Sequence, residues 1–113
     1  MSTDMSTDTE RWPTPDAAYA KAPGIVREIG WTAQAAADKP LGTTLGREFW
    51  LRKAALLDRI ALAEEAEGRS RDVTGAAEHA AARLMDVDDD DTDVICDPRH
   101  YVRQQYALWA DEQ

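Results

Sequence analysis

Between residues 44 and 66 the apolar side chains recur with a helical period. Leu45, Phe49, Leu56, Ile60 and Ala63 fall within a narrow arc at 100° per residue, Trp50, Leu57 and Ala61 lie beside them, and Leu51, Ala55 and Leu62 form a third sector. Charges fill only the gaps, with Glu48 spaced to pair with Arg52 one turn on. A helix that is apolar on most sides is packed on most sides, so this segment is predicted to be the central helix of the fold.

Weaker patterns flank it. In IVREIGWTAQAAAD, residues 25–38, a stripe of Ile25, Ile29, Thr32, Ala33 and Ala36 predicts a helix that stops before Lys39-Pro40. Gly30 in its middle costs about 1 kcal/mol relative to alanine. Residues 72–85 place Val73, Ala77, Ala80, Ala81 and Leu84 on one face, small enough for a neighbouring helix to approach closely. A last helix from Pro98 is predicted to face inward through Tyr101, Val102, Leu108 and Trp109, flanked by Tyr106. Thr14-Pro15 and Asp97-Pro98 each combine a capping side chain with proline at the first helical position. Cys96 and Tyr101 are spaced for a hydrophobic staple across the second cap. The first of these helices must be short, because Pro23-Gly24 interrupts it. No segment alternates with period two. The expected fold is therefore all-α, a small bundle of four to five helices around the segment at about 44–66, with no sheet.

Length and composition narrow the class. The 113 residues suit one domain. Residues 1–11 open with a duplicated Met-Ser-Thr-Asp, which leaves Met5 as an alternative first residue. They lack apolar periodicity and read as a disordered tail, with residues 12–113 as the helical domain. No apolar run has signal-peptide or membrane-span character. The single cysteine fits a reducing cytoplasm. Arginine outnumbers lysine ten to three and alanine is abundant, the bias of a high-GC bacterial genome.

Charge is concentrated in one place. DVDDDDTDVICD, residues 86–97, holds seven aspartates and no basic residue, so the other 101 residues carry only −2 of the net −9. An EF-hand loop needs glycine at its sixth position and a bidentate glutamate at its twelfth. Counting from Asp86 those positions are Asp91 and Asp97, and counting from Asp88 the twelfth is Arg99, so no register works. The stretch is expected to be an acidic connecting loop, flexible through self-repulsion. Asp88, Asp89, Asp90 and Asp91 have no basic residue nearby in sequence. They are candidate partner-binding residues for a basic protein, and their neutralisation is expected to leave the fold intact.

Other chemistries find little support. Cys96, Asp97 and His100, with His79 elsewhere, contain the residue types for zinc or a thiol nucleophile. The surrounding aspartates disfavour a thiolate, and C-x₃-H alone is a weak zinc signal. No P-loop, GxGxxG or H-E-x-x-H occurs. No catalytic, cofactor-binding or metal-binding residue is assigned, and an enzyme is not expected. Residues 60–85 have some flavour of a helix-turn-helix. However, Glu64 and Arg69 depart from that pattern around Gly68, and Glu78, His79 and Arg83 are a poor set for base contacts.

Four tryptophans are many for this length. Trp50 and Trp109 lie on amphipathic helices and read as core. Trp12, beside Pro13 at the edge of the tail, either folds back onto the body or anchors a partner. The sequence thus leads to a small cytoplasmic helical interaction or regulatory protein that acts through protein–protein contacts. A homodimer is one candidate assembly, because the 44–66 helix has more apolar sectors than a five-helix monomer easily covers. The alternative is a helix-turn-helix regulator of DNA, which the charge balance disfavours. No membrane partner is expected.

Overall fold

Helix α1 (Pro15–Ala18) begins as its sequence dictates: Thr14 Oγ1 accepts from the Ala17 amide at 3.2 Å, and proline occupies the first turn. It is one of five helices among the residues that the computed structural model describes, namely 12–39, 45–69, 72–88 and 97–113. The others are α2 (Ile25–Ala37), α3 (Arg47–Ala66), α4 (Asp72–Val87) and α5 (Pro98–Asp111). No strand occurs among the described residues. The tail at 1–11, Asp89, Asp90, Asp91 and the Cys96 half of the expected staple lie outside them.

Helix α3 is central, touching α2, α4 and α5. Its most extensive partner is α4, and alanine packing on alanine is why. Ala54 and Ala55 of α3 join Ala80 and Ala81 of α4, all at most 3% exposed, in one cluster with Leu51, Leu84, Tyr101, Val102 and Tyr106. Small side chains let the helix backbones approach, while Leu51 and Leu84 fill the remaining space. The expected face of α4 is the one that is buried.

Gly68 ends α3. Its φ of 74° lies in the left-handed region. Its own amide bonds to the Glu65 carbonyl at 3.0 Å and the Arg69 amide to the Glu64 carbonyl at 2.9 Å. This pair of bonds is the Schellman closure, which satisfies carbonyls the helix end would leave open. At the other end α3 starts at Arg47, so Leu45, counted above in the apolar arc, precedes the helix.

Two faces differ from the sequence expectation. On α2 the inward residue is Glu28, 2% exposed, whereas Ile29 is 47% exposed and Ala33 and Ala36 also face outward. On α5 the buried residues are Arg99, Tyr101, Val102, Arg103 and Tyr106, and Leu108 is exposed. On both helices charged side chains hold interior positions, Glu28 on α2 and Arg99 and Arg103 on α5, while Tyr101, Val102 and Tyr106 of α5 are buried as the pattern predicts. No helix of the described residues is long and apolar enough to cross a membrane.

Candidate functional site

Asp58 sits on α3 among the sector of Leu51, Ala55 and Leu62, so helical geometry carries its carboxylate into the interior. Arg99 and Arg103, one turn apart on α5, meet it there. Arg99 Nε donates to Oδ1 at 2.5 Å, Arg103 donates through Nε to Oδ2 at 2.7 Å and through Nη2 to Oδ1 at 2.9 Å, and the Tyr19 hydroxyl donates to Oδ2 at 2.6 Å. A carboxylate has about four acceptor positions, and four donors fill them. Burial alone would push the Asp58 carboxyl up in pKa. The hydrogen bonds from Arg103, Tyr19 and Arg99 outweigh it and hold the group below the ordinary carboxylate range. Tyr19 is shifted the other way, upward, first by burial and then by the Asp58 charge.

The network extends outward. Arg99 also donates to Glu65 at 2.8 Å, and Glu65 accepts from the Thr74 hydroxyl on α4. Two carboxylates and two guanidiniums thus balance where α3 and α5 cross, with the α1 side entering through Tyr19 and α4 through Thr74. A charge cluster satisfied in this way holds helices in register.

A second buried pair sets α2. Arg52 of α3 donates to both oxygens of Glu28, at 3.1 and 2.7 Å, and to Glu48 at 3.0 Å, the spacing anticipated one turn along α3. Its guanidinium lies 3.6 Å from the centroid of the Trp31 ring. With Glu28 turned inward, the opposite side of α2 faces outward. Val26 is 82% exposed there, beside Ile29, Gly30, Ala33 and Ala37, with Arg27, Gln34 and Asp38 along one flank.

The residues singled out in the sequence fall in different places. Trp12 is half-buried with its ring 5.7 Å from that of His100 at the start of α5. Asp88 closes the end of α4, so the helix takes the first two residues of the acidic stretch. Arg47 grips Asp88 at 2.6 and 3.1 Å, and the Tyr101 hydroxyl donates to it at 2.6 Å. Burial would raise the Asp88 pKa, but those donors outweigh it and lower it. Asp88 is therefore a structural carboxylate, with a basic partner 41 positions away that sequence proximity did not reveal. Asp97 caps α5 as anticipated, accepting from the Arg99 amide at 3.0 Å. His79 is exposed on α4. No group of three or more His, Cys, Asp or Glu side chains is placed to hold a metal ion among the described residues.

One cavity of about 360 Å³ opens between Lys21, Pro23, Tyr106, Trp109, Ala110 and Gln113. Lys21, its charged wall, already pairs with Asp111 at 3.1 Å. The cavity brings together aromatic surface and one engaged ammonium.

No protein-family model matches the chain, and no curated protein and no solved structure is significantly similar to it.

Proposed function

We propose that this is a small helical protein–protein interaction module, with a regulatory rather than catalytic role in the cytoplasm, and that it associates through the outer face of α2. The observation that carries this reading is the division of labour between side chains. Charged groups of the bundle interior, Asp58, Arg99, Arg103, Glu28 and Arg52, are engaged with one another, whereas Val26 at 82% and Ile29 at 47% exposure lie outward on one helix. Exposed apolar side chains gathered on a single face are what an association surface offers. Asp89, Asp90 and Asp91 are candidate residues for a basic partner by their charge alone, with Trp12 as a further candidate anchor.

Duplex DNA is the less favoured partner. The outward residues of α4, the segment that a helix-turn-helix would use, include Asp72, Glu78 and Asp86 against Arg83. Phosphate neutralisation requires the opposite balance. The reading is tested by parallel affinity capture with the wild type and a Val26→Glu/Ile29→Glu variant. A protein partner retained by the first and lost by the second is expected. Equal capture by both, or capture of nucleic acid in a salt-dependent manner, would overturn it.

A further inference from the structure

The outer face of α2 has a specific form. Val26, Gly30, Ala33 and Ala37 follow the i, i+4, i+7, i+11 spacing of a helix–helix seam. One flank of the seam is apolar, with Ile29 and Ala36, and the other is polar, with Arg27 near the start and Asp38 at the end. Gly30 is the centre of the puzzle. A Cβ built there meets nothing within 4 Å among the described residues, so their packing gives no reason for glycine in mid-helix. Glycine at an exposed helix centre lowers helix stability, and its usual return is the close approach of another backbone.

We propose that the occupant of this face is a second copy of the same chain, with the two α2 helices packed antiparallel about a twofold axis. This rests on the interaction reading above and names its partner. Charge complementarity selects the arrangement. In an antiparallel pair like flanks meet, so Arg27 lies against the partner's Asp38 and Asp38 against the partner's Arg27. A parallel pair sets the polar flank against the apolar one and leaves Asp38 with only its hydrogen bond from Gln34 at 2.8 Å and no cation from the partner. The same axis puts Val26 over the partner's Ala37 and Gly30 over the partner's Ala33, large against small and small against small. Ile29 then falls beside the partner's Ala36 on the dry flank. Each contact is repeated by symmetry, as an isologous interface requires.

Area sets the strength. A helix of 13 residues is about 20 Å long. A contact confined to it lies below the roughly 1,200–2,000 Å² total of stable specific interfaces. The dimer is therefore weak and concentration-dependent, a form suited to reversible regulation.

Sedimentation equilibrium on the full chain, from about 10 μM to about 1 mM, covers the affinities expected of such a contact. The wild type is expected to show reversible monomer–dimer exchange. Arg27→Glu, which sets Glu against Asp, should weaken it by about tenfold or more, and Arg27→Glu/Asp38→Arg should restore it. Ala33→Glu should abolish it without lowering the melting temperature, because Ala33 is exposed in the monomer. A wild type that stays monomeric throughout, or a dimer indifferent to Ala33→Glu and to the charge swap, would overturn the proposal. If the chain is monomeric yet Val26→Glu/Ile29→Glu still loses a different protein in the capture experiment, the second copy is the wrong occupant and the interaction reading stands. If neither self-association nor capture responds, both fall.

Discussion

Asp58 and Arg103 face each other across the α3–α5 contact through two parallel hydrogen bonds of 2.7 and 2.9 Å, with side chains 1% and 9% exposed. Bidentate pairing of this kind fixes both the distance and the rotation of the two helices. The rest of the bundle is arranged around it.

Removing one partner leaves the other charged and buried. Arg103→Ala is expected to cost about 3–5 kcal/mol, a large share of the ~5–15 kcal/mol that holds a domain of this size together. Replacing the three buried charges, as in Asp58→Leu/Arg99→Met/Arg103→Met, should cost less than the single change, because the carboxylate left without its arginine, Glu65, is exposed. Urea unfolding of the two variants tests the order. A single variant more stable than the triple one would mean that the charges are not truly desolvated.

Stability should fall at both ends of the pH scale. Asp58 and Asp88 have pKa values lowered on folding, so their contribution is complete above the unfolded carboxylate value of about 4 and is lost as pH falls through the folded values. Tyr19 is raised on folding, so its contribution is complete below about pH 10 and is lost as pH rises from there. Denaturant midpoints measured from acid to alkali should trace a plateau between those limits. Tyr19→Phe should flatten the alkaline side. A midpoint that climbs on acidification below about pH 4 would be inconsistent with these carboxylates being paired in the fold.

How much of this could be read beforehand differs by element. The caps at Thr14-Pro15 and Asp97-Pro98, the alanine face of α4 and the centrality of α3 are local or periodic signals, and they appear in the fold as expected. The face of α2 and the place of Leu108 on α5 depart from the pattern because hydrophobic periodicity ignores buried charge. Glu28, Arg99 and Arg103 occupy core positions that the pattern assigns to residues such as Ile29 and Leu108. A signal was present: Asp58 interrupts an apolar sector of α3, and two arginines one turn apart share the stripe of Val102 and Tyr106 on α5. A carboxylate and guanidiniums so placed are expected inside only as partners. The outer face of α2 emerges only once Glu28 is known to turn inward.

Gly30 and Gly68 should respond in opposite directions. Gly30→Ala meets no neighbour and removes a mid-helix glycine, so the dilute monomer should gain about 0.5–1 kcal/mol. Gly68→Ala forces an L side chain into φ 74° and should lose about 1–2 kcal/mol. Thermal melts at low protein concentration compare them directly. Equal effects would remove the distinction between an open seam and a required turn.

Among the aspartates, Asp88 should stand apart. Asp88→Asn weakens the grip of Arg47 and the hydrogen bond from Tyr101, at an expected cost of about 1–3 kcal/mol. Neutralising Asp89, Asp90 and Asp91 together, with Asp88 kept, should change stability by no more than about 0.5 kcal/mol. Chemical denaturation of the two variants separates the structural carboxylate from its neighbours.

The most direct test of association through α2 is a dilution series followed by amide chemical shifts, from about 1 mM down to about 10 μM, the range in which a contact of one helix is populated. Concentration-dependent shifts confined to Val26–Asp38 and the Arg52–Trp31 contact behind them are expected, with α5 around Leu108 unmoved. Shifts that are absent across the series, or that cluster on α5 or α4 instead, would contradict it.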